Sequence, residues 1–319
     1  MKFSFNDKEY YIDGYLASQL NSFVYNISKD WDFIILITGD RMVRVGKSVL
    51  GMTIGAYLGA ALKDLKLNDK AYDINQIYFD SKIMVDEALE KSRYYVNHYD
   101  EARESLAATK TLQKTQQSIL DFFAECGQLN HIFILVLPDF FTLKEDIAIA
   151  RSECLINVYR TESRIMKDLY KTGEKTPLVK FNRGQFQFFN RKKKEAIYDK
   201  AKTTKRKSYT AVKPDFLGSF TNQWPIDRES YEELKKESLK RFKERHKKEE
   251  VKLSTETRKF LEIADFITPS QLSKMSKLLG KDESYFRKSI AKAREDAAPF
   301  LKPKLDEKIE KLDKIGGIP

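Results

Sequence analysis

Residues Trp31 to Ser48, WDFIILITGDRMVRVGKS, decide the fold. The apolar run Phe33 to Ile37 has the length of a buried strand. It breaks at Gly39 and ends in Gly46-Lys47-Ser48, and the residues that follow, Val49 to Leu58, have the small and apolar spacing of a buried helix. Strand, tight loop, Gly-Lys-Ser and helix form the order that a phosphate-binding loop requires. The helix N-terminus, Gly46 to Val49, offers its N–H groups to a polyphosphate, Lys47 pairs with the outer phosphates, and the Ser48 hydroxyl sits on Mg²⁺. One residue departs from the motif G-x-x-x-x-G-K-[ST]: Arg41 stands where a glycine is wanted, and the nearest glycine, Gly39, comes two residues early. The loop is therefore expected to be longer or differently bent. Arg41 and Arg44 within it are candidates for supplying charge in cis.

With 319 residues the chain has material for one large or two modest domains. Its formal charge of +11 favours an anionic partner, nucleic acid before membrane surface. The two cysteines, Cys126 and Cys154, have no metal-ligand spacing and read as reduced, buried thiols. No apolar run approaches the roughly 18–20 residues of a membrane span and no signal-peptide pattern opens the chain, so a cytoplasmic protein is expected.

Outward from the central stretch, residues 1–14 read as a hairpin or extended lead-in and Tyr15 to Lys29 as an amphipathic helix. Ile74 to Asp80 reads as a strand, Ser81 as the cap of the next helix, and Tyr94 to Tyr99 as a strand ending in Asp100-Glu101. Ser105 to Gly127 is expected to be a helix, His131 to Leu137 a strand, Leu143 to Ile149 a short helix and Cys154 to Tyr159 a strand. This alternation predicts an α/β fold: a mostly parallel sheet with helices on both faces. Short strands from Val179 to Arg191, turning at Asn182-Arg183-Gly184, suit a terminal hairpin.

From Arg191 the composition becomes basic. The boundaries read as an ATPase-type domain over 1–190, a basic linker and charged helix over 191–250, and a smaller helical module over 251–319. The last has helix-turn-helix spacing, with Asp282 to Lys292 as a reading helix; a plain three-helix packing module fits equally. Tyr198 and Tyr209 among the cations suit single-strand stacking, and a solvated linker fits as well.

A strand ending in Asp-Glu supplies the second half of a nucleotide hydrolase. Asp100 would hold Mg²⁺ through water opposite Ser48, and Glu101 would orient and deprotonate the attacking water. Carboxylates at a helix N-terminus are the plainer alternative. His98 and His131 read as core or strand-tip histidines rather than metal ligands.

On ITGDRMVRVGKSVL, YYVNHYDEAR, CGQLNHIFILVLPD and IARSECLINVYR, the chain resembles the P-loop ATPases of the additional-strand, catalytic-glutamate type. Within that class it is most similar to the FtsK/HerA-like DNA-pumping ATPases and the Zot-like ATPases of phages and mobile elements. The resemblance covers about residues 30–160. It implies a RecA/FtsK-like core and ATP hydrolysis with Mg²⁺, coupled to moving or packaging DNA, with double-stranded DNA ranked before single-stranded. It also implies a homo-oligomeric ring, often a hexamer. Glu101 and Lys47 would be catalytic, Asp100 would support the metal, and Asn130 or Asp139 would stand in for the sensor. Arg151, then Arg160 and Arg164, would be the transition-state arginine from a neighbour. A secretion or assembly ATPase that does not pump DNA, and a non-enzymatic DNA-binding protein with a degenerate loop, are the alternatives.

Overall fold

The computed structural model describes residues 1–39, 44–100, 119, 121–123, 125–168 and 175–241 in full, the backbone of 242–250, and Ser284 and Lys288. In chain order the elements are β1 (Lys2–Phe5), β2 (Lys8–Tyr11), α1 (Gly14–Ile27), β3 (Phe33–Thr38), α2 (Lys47–Asp64), β4 (Ile77–Tyr78), α3 (Ser81–Glu90) and β5 (Val96–Tyr99). Then come β6 (Ile132–Val136), β7 (Ser152–Lys167), β8 (Thr176–Phe189), α4 (Arg191–Thr204), β9 (Phe216–Ser219) and α5 (Arg228–Glu250). Two compact units are distinguished, Met1–Ser238 and Leu239–Pro319. Of the second, the backbone continues α5 to Glu250, and Ser284 and Lys288 are helical and exposed. The expected helix-turn-helix, including Asp282 to Lys292, lies otherwise outside the described residues.

The first unit is an α/β structure built on a seven-stranded sheet of order β4-β5-β6-β3-β7-β8-β9. The first five of these strands are mutually parallel, and β8 and β9 are antiparallel additions. β3 is at the centre because all six of its residues are buried. A strand covered on both faces must be apolar at every position, and here alternate residues serve two cores. Phe33, Ile35 and Ile37 face the core shared with α1, α2 and the β1–β2 hairpin. Ile34 and Leu36 face the core that holds Met84 and Ala88 of α3, Phe122, Phe123, and Ile197 of α4.

α2 is buried along most of its length. A Cβ on Gly51 would stand 2.8 Å from the His98 imidazole, and Gly55 and Gly59 lie directly against Tyr72. The small residues of that helix therefore admit a tyrosine and a histidine between it and β5.

Three local expectations are changed. Ile74–Gln76 is a single 3₁₀ turn closed by a reciprocal Asp73–Gln76 capping box, which shortens β4 to two residues. Asp80, not Ser81, caps α3, accepting from the Lys82 and Ile83 N–H groups. Asn182-Arg183-Gly184 is no turn: β8 runs unbroken from Thr176 to Phe189 against β7. The register shifts opposite Tyr159/Thr161, and Gly184 takes φ +89°, so the glycine is spent on a bulge.

The basic run assigned to a linker forms α4, whose Ile197, Tyr198 and Lys194 are buried. Lys194 donates to the Ile149 carbonyl (3.2 Å), the Ser152 carbonyl and the Ser152 hydroxyl. Burial pulls its pKa down to about 8. Ser152 is itself fully buried and also donates to the Ala148 carbonyl, so this lysine–serine contact ties α4 to the start of β7 and has no access for a substrate.

Candidate functional site

Parallel strands collect the residues that follow them at one end of the sheet and the residues that precede them at the other. Gly39, Asp100 and Asp139 follow β3, β5 and β6 and share an end. Thr38 pairs with Asn157 in the β3–β7 register, so Arg160 lies just beyond the same edge.

Gly39 explains itself by what crosses it. A Cβ there would stand 2.8 Å from Lys47 Cδ, 2.9 Å from Val45 Cγ2 and 3.1 Å from Lys47 Nζ. The lysine stem therefore lies back over the strand end, with Val45 buried beneath the loop. The early glycine is needed for close approach of Lys47. Residues 40–43, Arg41 among them, lie outside the described residues. Arg44 is exposed with φ +58°, and Gly46 has φ +102°. Two left-handed residues so close together turn the chain sharply into α2. Among the described residues no side chain caps α2, whose first turn presents the positive end of the helix dipole. Lys47 and Ser48 are half-buried there.

Gly39→Ala is expected to push Lys47 and Val45 off the strand end. Calorimetry should show nucleotide affinity falling about tenfold or more, with the fold retained, because a misplaced cation forfeits much of a charge-assisted contact.

Asp100 is 1 % exposed, and its N–H donates to the Tyr78 carbonyl at 2.8 Å. Its carboxylate Oδ2 accepts a 2.5 Å hydrogen bond from the Tyr231 hydroxyl of α5. Tyr231 is buried between Phe79 and Trp224. The chain before α5 also reaches the loop: a Cβ on Gly46 would stand 3.0 Å from the Phe220 ring. Phe220 is held by its N–H on the Gly184 carbonyl at 2.8 Å. Comparison with family models, with curated proteins and with solved structures gave no match.

A hydrated Mg²⁺ needs only one or two protein oxygens. Ser48 and Asp100 are the residues that could supply them, and no larger cluster competes, since among the described residues no group of three or more His, Cys, Asp or Glu could hold a metal ion.

Two candidates are not brought to this end. Asn130 precedes β6, whose Ile132 pairs with Phe33, so it sits about a strand length, roughly 15–20 Å, from the loop. It adopts φ +50° and serves as a bracket: its side-chain oxygen accepts from Arg93, and its amide donates to the Trp31 carbonyl at 3.2 Å. Arg151 precedes β7 at that same far end, where it pairs with Asp32 at 2.8 Å. Asp139 does follow β6 at the loop end, where it caps the Phe140–Thr142 turn. Glu101 lies outside the described residues. Arg160 is on the loop side, with its guanidinium 3.9 Å above the Phe181 ring.

Tyr231 and Phe220 escaped sequence reasoning. The signal was faint: Tyr231 is an aromatic in the first turn of an otherwise charged helix, preceded by Phe220, Trp224 and Ile226.

His98 is fully buried, with Nδ1 3.0 Å from the Tyr72 hydroxyl. Burial pushes its pKa down to about 4, against a smaller opposing pull from Asp100. The folded chain keeps this imidazole neutral while the unfolded chain protonates it below pH 6.5. Stability is thus intact above pH 6.5 and is lost progressively toward pH 4. At pH 5 the cost is about 2 kcal/mol from this group. His131, also lowered by burial, adds in the same direction. Urea unfolding at pH 7 and pH 5 should show the loss, and His98→Gln should diminish it without removing the His131 share.

Proposed function

We propose that the chain is a P-loop ATPase of the additional-strand, catalytic-glutamate class, using ATP and Mg²⁺ to move or package DNA as a homo-oligomeric ring. The observation that carries the nucleotide reading is convergence at one end of a parallel sheet. The Gly39–Lys47–Ser48 loop follows β3, Asp100 follows β5, and β6 lies between those two strands. In such an arrangement the loop and the α2 N-terminus grip phosphate. Asp100 and Ser48 would hold a hydrated Mg²⁺, which would neutralise phosphate charge, and Glu101, next in the chain, would act as base for the attacking water.

Support for DNA comes from charge and from the β7–β8 ribbon. Over the described residues 160–168 and 175–185 it carries six cations, Arg160, Arg164, Lys167, Lys175, Lys180 and Arg183, against Glu162 and Asp168. Phe181 and Val179, both about half exposed, share a face with Arg164. A two-stranded ribbon of this width can enter the major groove of DNA. For the transition-state arginine, which would come from a neighbour, the candidates stay Arg151, paired with Asp32 at 2.8 Å, Arg160, paired with Glu162 at 3.8 Å, and Arg164.

The test is ATP hydrolysis by the full chain with and without double-stranded DNA, over a salt series. We expect stimulation by DNA that falls steeply with salt as counterions compete. Hydrolysis indifferent to DNA would favour an assembly ATPase, and absence of nucleotide binding would overturn the reading altogether.

A further inference from the structure

Two contacts link the segment Phe220–Tyr231 to the groups that would hold nucleotide and metal. At one end the Phe220 ring packs on Gly46 at the turn into α2. At the other the Tyr231 hydroxyl donates to Asp100 Oδ2 at 2.5 Å, in a setting where both residues are almost wholly buried. Between them the segment is tied down at several points. Phe220 N–H donates to the Gly184 carbonyl at 2.8 Å, and the Gln223 amide donates to the Glu9 carbonyl at 3.0 Å. Asp227 accepts from both the N–H and the hydroxyl of Ser230 at 2.8 Å, which starts α5. Trp224 meets the Tyr231 ring edge-on at 5.4 Å, with Arg228 over its own face. On the other side Phe79 meets Tyr231 at 5.6 Å and carries Lys235 above it.

We propose that Tyr231 is part of the nucleotide site: its hydroxyl holds the Asp100 carboxylate when no metal is present and yields it when Mg²⁺ arrives with nucleotide, so that α5 responds to the metal. This rests on the phosphate-site reading above. The chemistry is a competition for one carboxylate. A hydrated Mg²⁺ needs Asp100 to accept hydrogen bonds from its water, and it repels a donor proton aimed at the same group. A hydrogen bond to a charged acceptor in a buried setting is strong enough to matter in that exchange. Because Tyr231 lies in the first turn of α5, its release loosens the start of a helix that continues to Glu250. The rest of the segment, fixed at Gly184 and Glu9, keeps Phe220 on the loop while the tyrosine moves.

The protein contains its own reporter. It has two tryptophans, and Trp31 is 59 % exposed and far from this contact in the fold. In the full chain carrying Trp31→Phe, emission therefore reports Trp224 alone, in contact with Tyr231. ADP binding is to be measured calorimetrically and by this emission, with Mg²⁺ or with EDTA. We expect ADP to bind under both conditions and Trp224 emission to change only with Mg²⁺. Adding Tyr231→Phe should abolish the Mg²⁺-dependent change and tighten Mg²⁺–ADP binding by about tenfold. Mg²⁺–ADP binding with silent Trp224, or a Tyr231→Phe chain that binds Mg²⁺–ADP more weakly, would overturn the proposal while leaving the phosphate site standing. If the unsubstituted chain bound no nucleotide, the phosphate-site reading would fail and this inference with it. Should Tyr231→Phe not fold, the emission comparison with Tyr231 in place still decides the matter.

Discussion

Lys47→Ala is expected to abolish nucleotide binding at any concentration used for assay, and hydrolysis with it. The side chain lies back across Gly39, where a Cβ would touch both its Cδ and its Nζ. Its ammonium is thereby held over the end of β3, and Lys47 is itself the first residue of α2. Loop amides and the helix dipole contribute partial charges, whereas Lys47 contributes a full one. A unit charge about 4 Å from a phosphate oxygen, near a protein surface, is worth about 4 kcal/mol, or roughly 10³ in affinity. The fold should survive, because Lys47 is half-buried and replacing a flexible stem by a methyl leaves the β3 core untouched. Calorimetry with Mg²⁺–ADP beside a thermal melt separates the two effects. Binding retained within a few-fold of the unmodified chain would mean that the loop is not a phosphate site. The comparison with Gly39→Ala is informative: that change keeps the charge and displaces it, so its defect should be the smaller of the two.

How much of this was legible in the sequence depends on whether the information is local. β3 was readable because a strand buried on both faces has to be apolar at every residue, and the glycine-rich α2 because its small residues recur along one stripe. The Asp100 end of β5 was found although Asn97 and His98 interrupt its apolar run. Those two residues are fully buried, and His98 is accommodated by Gly51 on the neighbouring helix, a pairing across 47 residues that no local pattern encodes. The placement of Asn130 and Arg151 was illegible for a different reason. Each is close in sequence to a core strand, but strand direction puts both at the end away from the loop, and direction is a property of the assembled sheet. Asn182-Arg183-Gly184 carries the chemistry of a turn and is used for a bulge, since a long partner strand was available to pair with it. Tyr231 was hidden by its surroundings: a helix so rich in charge reads as solvated, and one buried aromatic barely alters its period. The same composition misdirected the reading of α4, where a buried face, Ile197 and Tyr198 with Lys194 beside them, docks a helix that is otherwise mostly polar and basic.

The other large effect is expected at Glu101, where Gln should keep nucleotide binding and lower turnover by about 10²- to 10⁴-fold. Gln preserves the size and hydrogen-bonding reach of the side chain and removes only its capacity to take a proton from water. Lys47, Ser48 and the α2 N-terminus are unaltered by the change, so Mg²⁺–ADP affinity should stay within a few-fold of that of the unmodified chain. The sharper comparison is with the preceding residue. Asp100→Asn retains an oxygen to accept from Tyr231 but loses the charge that a hydrated metal requires, so it should weaken Mg²⁺–nucleotide binding while sparing metal-free binding. Adjacent residues would then fail in different ways, Glu101 in the chemical step and Asp100 in metal affinity. Single-turnover hydrolysis alongside equilibrium binding reads the two separately. If Glu101→Gln turned over ATP at the unmodified rate, the base would have to be another group, and Asp139, which follows the neighbouring strand at the same end of the sheet, would be the residue to replace next.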